Sequence, residues 1–300
     1  MDSSNFRFRL TAICMAVICA ATQSSLGQTP ASADQPAPND VESSVTATPV
    51  SYRPSSLNLR SHPIDPALQL AQESLLHVQT NVKDYTALFA KRCRVDGELP
   101  PLQFAHLKVR NRKLDSGQLI TPMGVYLDYL KPSSVKGREV IWVEDQNEGK
   151  IVVHQGGLAG LLTLYLDPDG ALAMRGQRYS IRSIGIENLL HQLISVAQED
   201  RLHGECVVDI DPDVQLGTHN CTRITITHPE KREHFRFHQA VVLFDNDLHI
   251  PIRYCSWKWP ETEGGKPVLD EEYNYLKVKV NTGLSQSDFD PANPEYRYSE

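Results

Sequence analysis

Between Ile64 and Val82, apolar residues recur at three- and four-residue steps: Ile64, Ala67, Leu68, Ala71, Leu75, Val78 and Val82. That spacing predicts one apolar stripe on a helix of about five turns. Asp65-Pro66 marks its start, Asp as cap and Pro in the first turn, and Lys83-Asp84 its end. The period then shortens. Strand-like runs are predicted over 85–95, 103–113, 125–130, 139–143 and 150–154, divided by turn residues such as Asp96-Gly97, Lys131-Pro132 and Glu148-Gly149. A second amphipathic helix is predicted over 185–202, with Ile186, Leu189, Leu190, Leu193, Ile194 and Ala197 on its apolar face. The stretch between, 156–179, reads as an irregular connection. Further strands are predicted over 206–210, 222–227, 234–244, 250–257 and 272–280, and the Pro-containing tail 288–298 as extended coil.

Short strands joined by tight turns favour an antiparallel meander. The expected class is α+β, mainly antiparallel β: about ten strands and two amphipathic helices. A large antiparallel sheet must cover its apolar face. Two helices lying inside the curve of the sheet do so, which gives an unclosed β half-barrel with helices over its concave face and an apolar space between.

The N-terminus reads as an address. Phe6-Arg7-Phe8-Arg9 is a short cationic start, residues 10–21 are almost all apolar, and Ser25-Leu26-Gly27 carries small residues where a signal peptidase reads. A cleavable secretory leader is expected over 1–27, with an uncleaved anchor as the alternative. The apolar run, roughly a dozen residues, is short of the ~20 that span a bilayer, and no later stretch is apolar enough, so no transmembrane segment is expected after cleavage. Ile13 before Cys14 and Ile18 before Cys19 argue against lipidation. Residues 28–62 are rich in Pro, Ser, Thr and Ala, with no Phe, Trp, Met or Ile. Such a segment buries too little apolar surface to offset its ordering entropy, so a disordered tether is expected, followed by one domain over 63–300. Lys and Arg number 30 against 37 Asp and Glu, a net charge of −7. That balance argues against nucleic acid as a partner. Loss of the leader leaves Cys93, Cys206, Cys221 and Cys255 in an oxidising compartment.

Particular segments resemble a known group. They are Asp84-Tyr85-Thr86-Ala87-Leu88-Phe89, Tyr129-Leu130-Lys131-Pro132, Gly137-Arg138-Glu139-Val140-Ile141-Trp142 and Leu166-Asp167-Pro168-Asp169-Gly170. Near the C-terminus stand Pro251-Ile252-Arg253-Tyr254, Glu272-Tyr273-Asn274-Tyr275, Val280-Asn281-Thr282-Gly283-Leu284 and Phe289. Together they resemble a bacterial domain-of-unknown-function family, similar to the LolA/LolB-like lipoprotein-sorting carriers, over residues 64–298. The resemblance implies a half-barrel that holds acyl chains in its concave cavity. It transfers no functional residues, and the Pro/Ser tether and 156–179 depart from the minimal carrier.

Candidate chemistry is sparse. Asp209, Asp211 and Asp213 alternate as in a calcium loop, but Val214 and Asn220 stand where an EF-hand needs Gly and Glu, so a hairpin turn at Pro212–Gly217 is expected. His234, Arg236 and His238 share one face of an expected strand, with Phe235 and Phe237 on the other. No third ligand is near, and a solvated face is expected, as it is for the isolated His154, His191 and His203. No hydrolase, phosphate-loop or dinucleotide fingerprint is present. Asp270-Glu271-Glu272 reads as surface charge. No catalytic residue, metal or cofactor is assigned. Cys206 and Cys221 flank the expected hairpin turn and are candidates for a disulfide if a bulge corrects their facing, four buried free thiols being the alternative. Tyr126, Tyr129, Trp142, Tyr254 and Tyr273 are candidate lining for a ligand cavity, ordinary core packing being the alternative.

The sequence therefore leads to a non-enzymatic, periplasmic or secreted binding protein. Its partner is a hydrophobic small molecule or lipoprotein: a lipid, an acyl chain or another apolar ligand, with a helix or 156–179 as lid. The alternatives are an envelope regulatory or structural module that binds a protein partner, and a hydrolase with a His–carboxylate site.

Overall fold

The computed structural model describes residues 61–156 and 162–298. The expected leader over 1–27 and nearly all of the expected tether over 28–62 lie outside the described residues.

The first helix, α1, is Asp65–Asn81. Ile64 occupies the N-cap, and Pro66 sits in the first turn, where its missing N–H costs nothing. Asp65 is not the cap. Its carboxylate accepts the His62 N–H (2.8 Å) and pairs with Arg201 (2.6 Å). The buried face of α1 is made of small residues, Ala67, Ala71, Ser74 and Val78, which admit close packing against the second helix, α2, Ile186–Asp200. The two run antiparallel: Arg201 meets Asp65 at one end and Gln79 meets Glu187 (3.0 Å) at the other.

Eleven strands form one antiparallel sheet. In chain order they are β1 (Asp84–Cys93), β2 (Gln103–Arg110), then, after a separate hairpin of β3 (Lys113–Asp115) and β4 (Gln118–Thr121), β5 (Gly124–Lys131), β6 (Glu139–Val143), β7 (Ile151–His154), β8 (Thr163–Leu166), β9 (Val207–Leu216), β10 (His219–Thr227), β11 (Gln239–Asp245), β12 (Ile250–Lys258) and β13 (Val268–Val280). β1 pairs with β13 at the centre. The Asp84 carboxylate fastens that junction, accepting N–H groups of Thr282 (2.6 Å) and Gly283 (3.1 Å). From β1 the chain meanders outward to one edge at β8, and from the other edge at β9 it meanders back to β13. α2 lies between β8 and β9 in sequence, so it must cross the sheet. The architecture is the expected open α+β half-barrel with two helices.

Alternation along each strand separates two faces. Val125, Leu127 and Tyr129 of β5, Val140 and Trp142 of β6, and Phe89 of β1 join the helices in the main core. Tyr126, Ile141, Val143 and Val152 face outward and are covered by the C-terminal segment. That segment is not bare coil: a 3-10 turn at Gln286–Phe289 buries Phe289, and Tyr296 stacks on Tyr126 with ring centroids 4.2 Å apart. Being covered on both sides, β6 and β7 are buried at every position.

Four local expectations are corrected. The strand expected over 103–113 stops at Arg110, and a hairpin turning at Ser116-Gly117 follows. Part of 156–179 is the edge strand β8, paired with β7. The strand expected over 234–244 begins at Gln239, and Phe235 and Phe237 lie buried in the loop before it. The strand expected over 206–210 runs on to Leu216 and turns at Gly217 (φ +63°). Pro212 is tolerated because β9 is an edge strand and the register shifts there, a bulge whose carbonyl accepts the Asn246 amide (3.0 Å).

The last correction also disposes of the candidate disulfide. Cys221 pairs opposite Val214, whereas Cys206 precedes Val207, opposite the far end of β10. The two are separated by roughly 25 Å along the strand, at about 3.3 Å per residue. A disulfide needs Cα atoms within about 7 Å. Cys93 and Cys255 are opposite Glu271 and Glu272 on either side of β13, about two strand spacings apart. All four cysteines of the described residues are free and buried.

Candidate functional site

The inward face of the sheet is not filled by the helices. Beneath α2 lies a cavity of about 340 Å³, with apolar walls of Leu189, Leu193 and Val196 from the helix, Ile226 and Val242 from the sheet, and Phe235 and Phe237 from the loop before β11. A second cavity of about 270 Å³ lies over β5–β8, walled by Leu127, Tyr129, Val140, Ile151, Val153 and Leu164. A recess of about 60 Å³ adjoins both and shares Tyr179 with each.

Residues 167–184 form a strap over this groove. Asp167-Pro168-Asp169-Gly170 turns the chain, Arg182 pairs with Asp169 (2.6 Å), and the Ser180 hydroxyl donates to Pro168 O (3.3 Å). The strap docks on β13. Arg178 donates to Asp270 (2.8 Å) and stands 3.9 Å from Glu271, and the Tyr179 hydroxyl donates to Glu271 (3.3 Å). Tyr273 adds a second hydroxyl to Glu271 (3.2 Å), and Lys258 a second cation to Asp270 (3.4 Å). Burial pushes the Glu271 carboxyl up, against the pull of Arg178. Burial works against the Arg178 charge, yet Glu271 and Asp270 outweigh it and hold the guanidinium firmly protonated. Tyr254 and Tyr273 are both raised, first by burial and then by Glu271. The polar pole of the larger cavity is thus a buried carboxylate ringed by hydroxyls and cations.

Asp270, Glu271 and Glu272 are therefore not surface charge: they are 4%, 7% and 8% exposed. Glu272 points to the other face, where it holds Arg92 (2.9 Å) and Arg253 (3.3 Å). Of the five candidate aromatics, Tyr129 lines the smaller cavity, and Tyr254 and Tyr273 line the larger. Trp142 is in the main core and lines neither. Tyr126 faces away from the helices: with Val125, Leu127 and Tyr129 inward, the pleat turns it outward, where its hydroxyl donates to Glu139 (2.8 Å). The residues not anticipated are Arg178, Tyr179 and Glu271, which the fold brings together from segments distant in sequence.

The histidines do not assemble a ligand set; among the described residues no group of three His, Cys, Asp or Glu is placed to hold a metal. His234 stacks on His203 (centroids 3.7 Å), and His238 is 3.0 Å from His228 O. Four His–carboxylate pairs form among the described residues, His219–Asp245 (2.5 Å), His106–Asp128 (3.6 Å), His191–Glu187 (3.8 Å) and His228–Asp200; in the last, Nε2 lies 3.2 Å from the carboxylate and Nδ1 3.0 Å from Phe237 O. His228 is fully buried and stacked on Phe235. The Cys206 thiol is pushed up to about 11, first by burial and then by the Asp200 charge, so it stays protonated and weakly nucleophilic at neutral pH. Asp211 pairs with Arg223 (2.8 Å) on the edge of the sheet.

A family model described as a protein of unknown function, DUF1571, matches residues 82–298. The chain belongs to the DUF1571 family. No curated protein matches this DUF1571 chain. Solved structures with a similar fold include the MucA/MucB complex of Pseudomonas aeruginosa, 12% identical over 75% of this chain and 60% of that one, with a TM-score of 0.40. Lipoprotein LppX of Mycobacterium tuberculosis is 14% identical over 74% and 98% of the two chains, with a TM-score of 0.38. A LolA superfamily protein of Nitrosomonas europaea is 9% identical over 74% and 97%, with a TM-score of 0.28. Among the described residues of the DUF1571 chain, no helix is long and apolar enough to cross a membrane.

Proposed function

We propose that this protein is a non-enzymatic binding protein of the periplasm or extracellular space, holding an acyl chain, lipid or other largely apolar ligand between α2 and the sheet. The leader over 1–27 and the tether over 28–62 belong to the same proposal: the leader delivers the domain and the tether sets it away from the signal-peptide end. One observation carries the reading. The cavity of about 340 Å³ has apolar walls from helix, sheet and loop with a small number of polar groups between them, Glu271, Arg178, Lys258, Arg236 and Asp200 among these, the composition of a small-molecule site. Each Å² of apolar ligand surface removed from water there contributes about 25 cal/mol.

A protein partner added to the sheet edge has less support. The β9 edge carries Asp209, Asp211, Asp213 and the Pro212 bulge, features that oppose strand addition. A hydrolase has less again, because His228 is sealed from solvent and His219, which pairs with Asp245 (2.5 Å), lines neither inward cavity.

The test is native mass spectrometry and lipid extraction of the purified chain, followed by titration with a fluorescent fatty acyl probe. The expected result is saturable binding of one probe per chain, weakened at least tenfold in Ala240→Phe, which fills the cavity from β11. Protein that is consistently empty and binds no acyl probe overturns the proposal.

A further inference from the structure

The smaller cavity differs from the larger in charge. Three cations line it, Lys91, Arg138 and Arg175, and no Asp or Glu does. Lys91 is on the inward face of β1, in step with Phe89, where an apolar residue would ordinarily stand. Its ammonium donates to the Gln177 amide oxygen (2.5 Å), a neutral partner. Arg138 Nε donates to the Gln155 amide oxygen (3.1 Å), again neutral. Arg175 is exposed on the strap. Among the described residues none of the three forms an ion pair, although most other arginines of the domain do. An ammonium has three donors and a guanidinium five, so most of these donors have no protein partner among the described residues. Leu172, 72% exposed, also lines the space and places its mouth at the strap.

We infer that this cavity takes the anionic head of an amphiphile, a carboxylate or phosphate attached to an apolar tail. The inference rests on the apolar-ligand reading and names the charge of its ligand. The tail has walls of its own here, Leu127, Val140, Ile151 and Val153 among them, and the recess and larger cavity continue the path past Tyr179. At about 270 Å³ the space is nearly twice the ~150 Å³ hydrocarbon-lined cavity that takes up benzene, enough for a head and the first part of a chain. A charge-assisted hydrogen bond from a guanidinium to an oxyanion is roughly twice as strong as a neutral one, and stronger still where water is partly excluded. A neutral head forgoes that gain, and a cationic head meets three like charges.

The experiment compares the purified full chain with hexadecanoate, hexadecyl phosphate, hexadecanol and hexadecyltrimethylammonium by isothermal titration below their micelle concentrations, with inorganic phosphate as a tail-free arm. Both anionic amphiphiles are expected to bind at least tenfold more tightly than the alcohol, and the ammonium most weakly. The preference should shrink with added salt. It should fall severalfold in Arg175→Gln and again in Arg138→Gln/Arg175→Gln, but not in the remote control Lys113→Gln. Circular dichroism and melting temperature establish that each variant is folded. Equal affinity for hexadecanol and hexadecanoate overturns the anionic head and leaves the apolar-ligand reading intact. Binding of none of the amphiphiles overturns both. Inorganic phosphate binding as tightly as hexadecyl phosphate makes this a free-anion site and overturns the assignment to an amphiphile.

Discussion

Tyrosine hydroxyls hold the start of α2. Its N-terminus has no side-chain cap, and Gly185, at φ +120°, is a conformation that only glycine adopts without strain. The first free N–H, on Ile186, is satisfied instead by the fully buried Tyr85 hydroxyl (2.9 Å), while Tyr275 engages the Gly185 backbone. Tyr85→Phe leaves that N–H buried and unpaired, at a cost of roughly 1–3 kcal/mol. Urea unfolding should show a lower midpoint with an unchanged slope. Glu271 gives a second prediction. Its folded pKa is raised above the unfolded value, so the stability it contributes is fully present below the unfolded pKa, about 4.3, and lost as pH rises through the folded one. Glu271→Gln, which mimics the protonated form, should therefore raise the melting temperature at pH 7 and leave it nearly unchanged at pH 4. A stabilising effect of equal size at both pH values would refute a charge-based cost. Neither residue declared its role in the sequence. Three consecutive carboxylates within a strand were the available signal for Glu271, since a strand buried on both faces has no solvent for them.

Elements were legible where one apolar stripe decides the structure. Both helices stand within two residues of their expected limits, and β6 is where it was expected, because their partners are the core itself. Elements fixed by tertiary contact were not. Phe235 and Phe237 alternate with polar residues as a strand would, but they are buried in a loop, packed on the buried His228 ring and facing α2 across the cavity. β9 reads as a short strand over 206–210 that ends before a turn at Pro212, yet an edge position and a bulge let it run through to Leu216. The β6–β7 end of the sheet gives the prediction at this scale. A Cβ on Gly156 would stand 2.2 Å from Lys136 O and 2.8 Å from Gly137 C, backbone atoms of the turn that leads into Arg138. Neither can rotate away. Gly156→Ala should cost about 1–3 kcal/mol, the usual range for overpacking, and thermal unfolding should read it as a loss of several degrees. A variant as stable as the parent would mean that the turn shifts freely.

The domain as a whole is a sheet with two unlike covers. Helices and strap lie on the inward face over the two apolar cavities; the C-terminal segment lies on the outward face, beside an open charged groove lined by Lys108, Asp128, Glu139, Lys277, Lys279 and Arg297. Phe289, 2% exposed, rests against Gly124, where a Cβ would come within 3.0 Å of its ring, so the strand is bare at the point of contact. Lys108 reaches Asp288 (2.8 Å), and Arg297 bridges Asp128 (2.5 Å) and the buried Glu139 (3.2 Å). The outward cover thus satisfies a buried carboxylate as well as an apolar patch, and its removal costs on both counts. Phe289→Ala should destabilise by about 3–5 kcal/mol, the range for emptying a buried aromatic site. Truncation after Gly283 should go further, exposing Tyr126, Ile141, Val143 and Val152 together, with binding of a hydrophobic dye and aggregation on warming. Because no residue of that segment lines either inward cavity, Phe289→Ala, measured at a temperature where it remains folded, should bind acyl probe within about twofold of the parent, well under the 1.4 kcal/mol of a tenfold change. A large loss of probe binding in that variant would mean that the two faces are coupled through the sheet, and that the outward cover sets the shape of the groove as well as the stability of the strands.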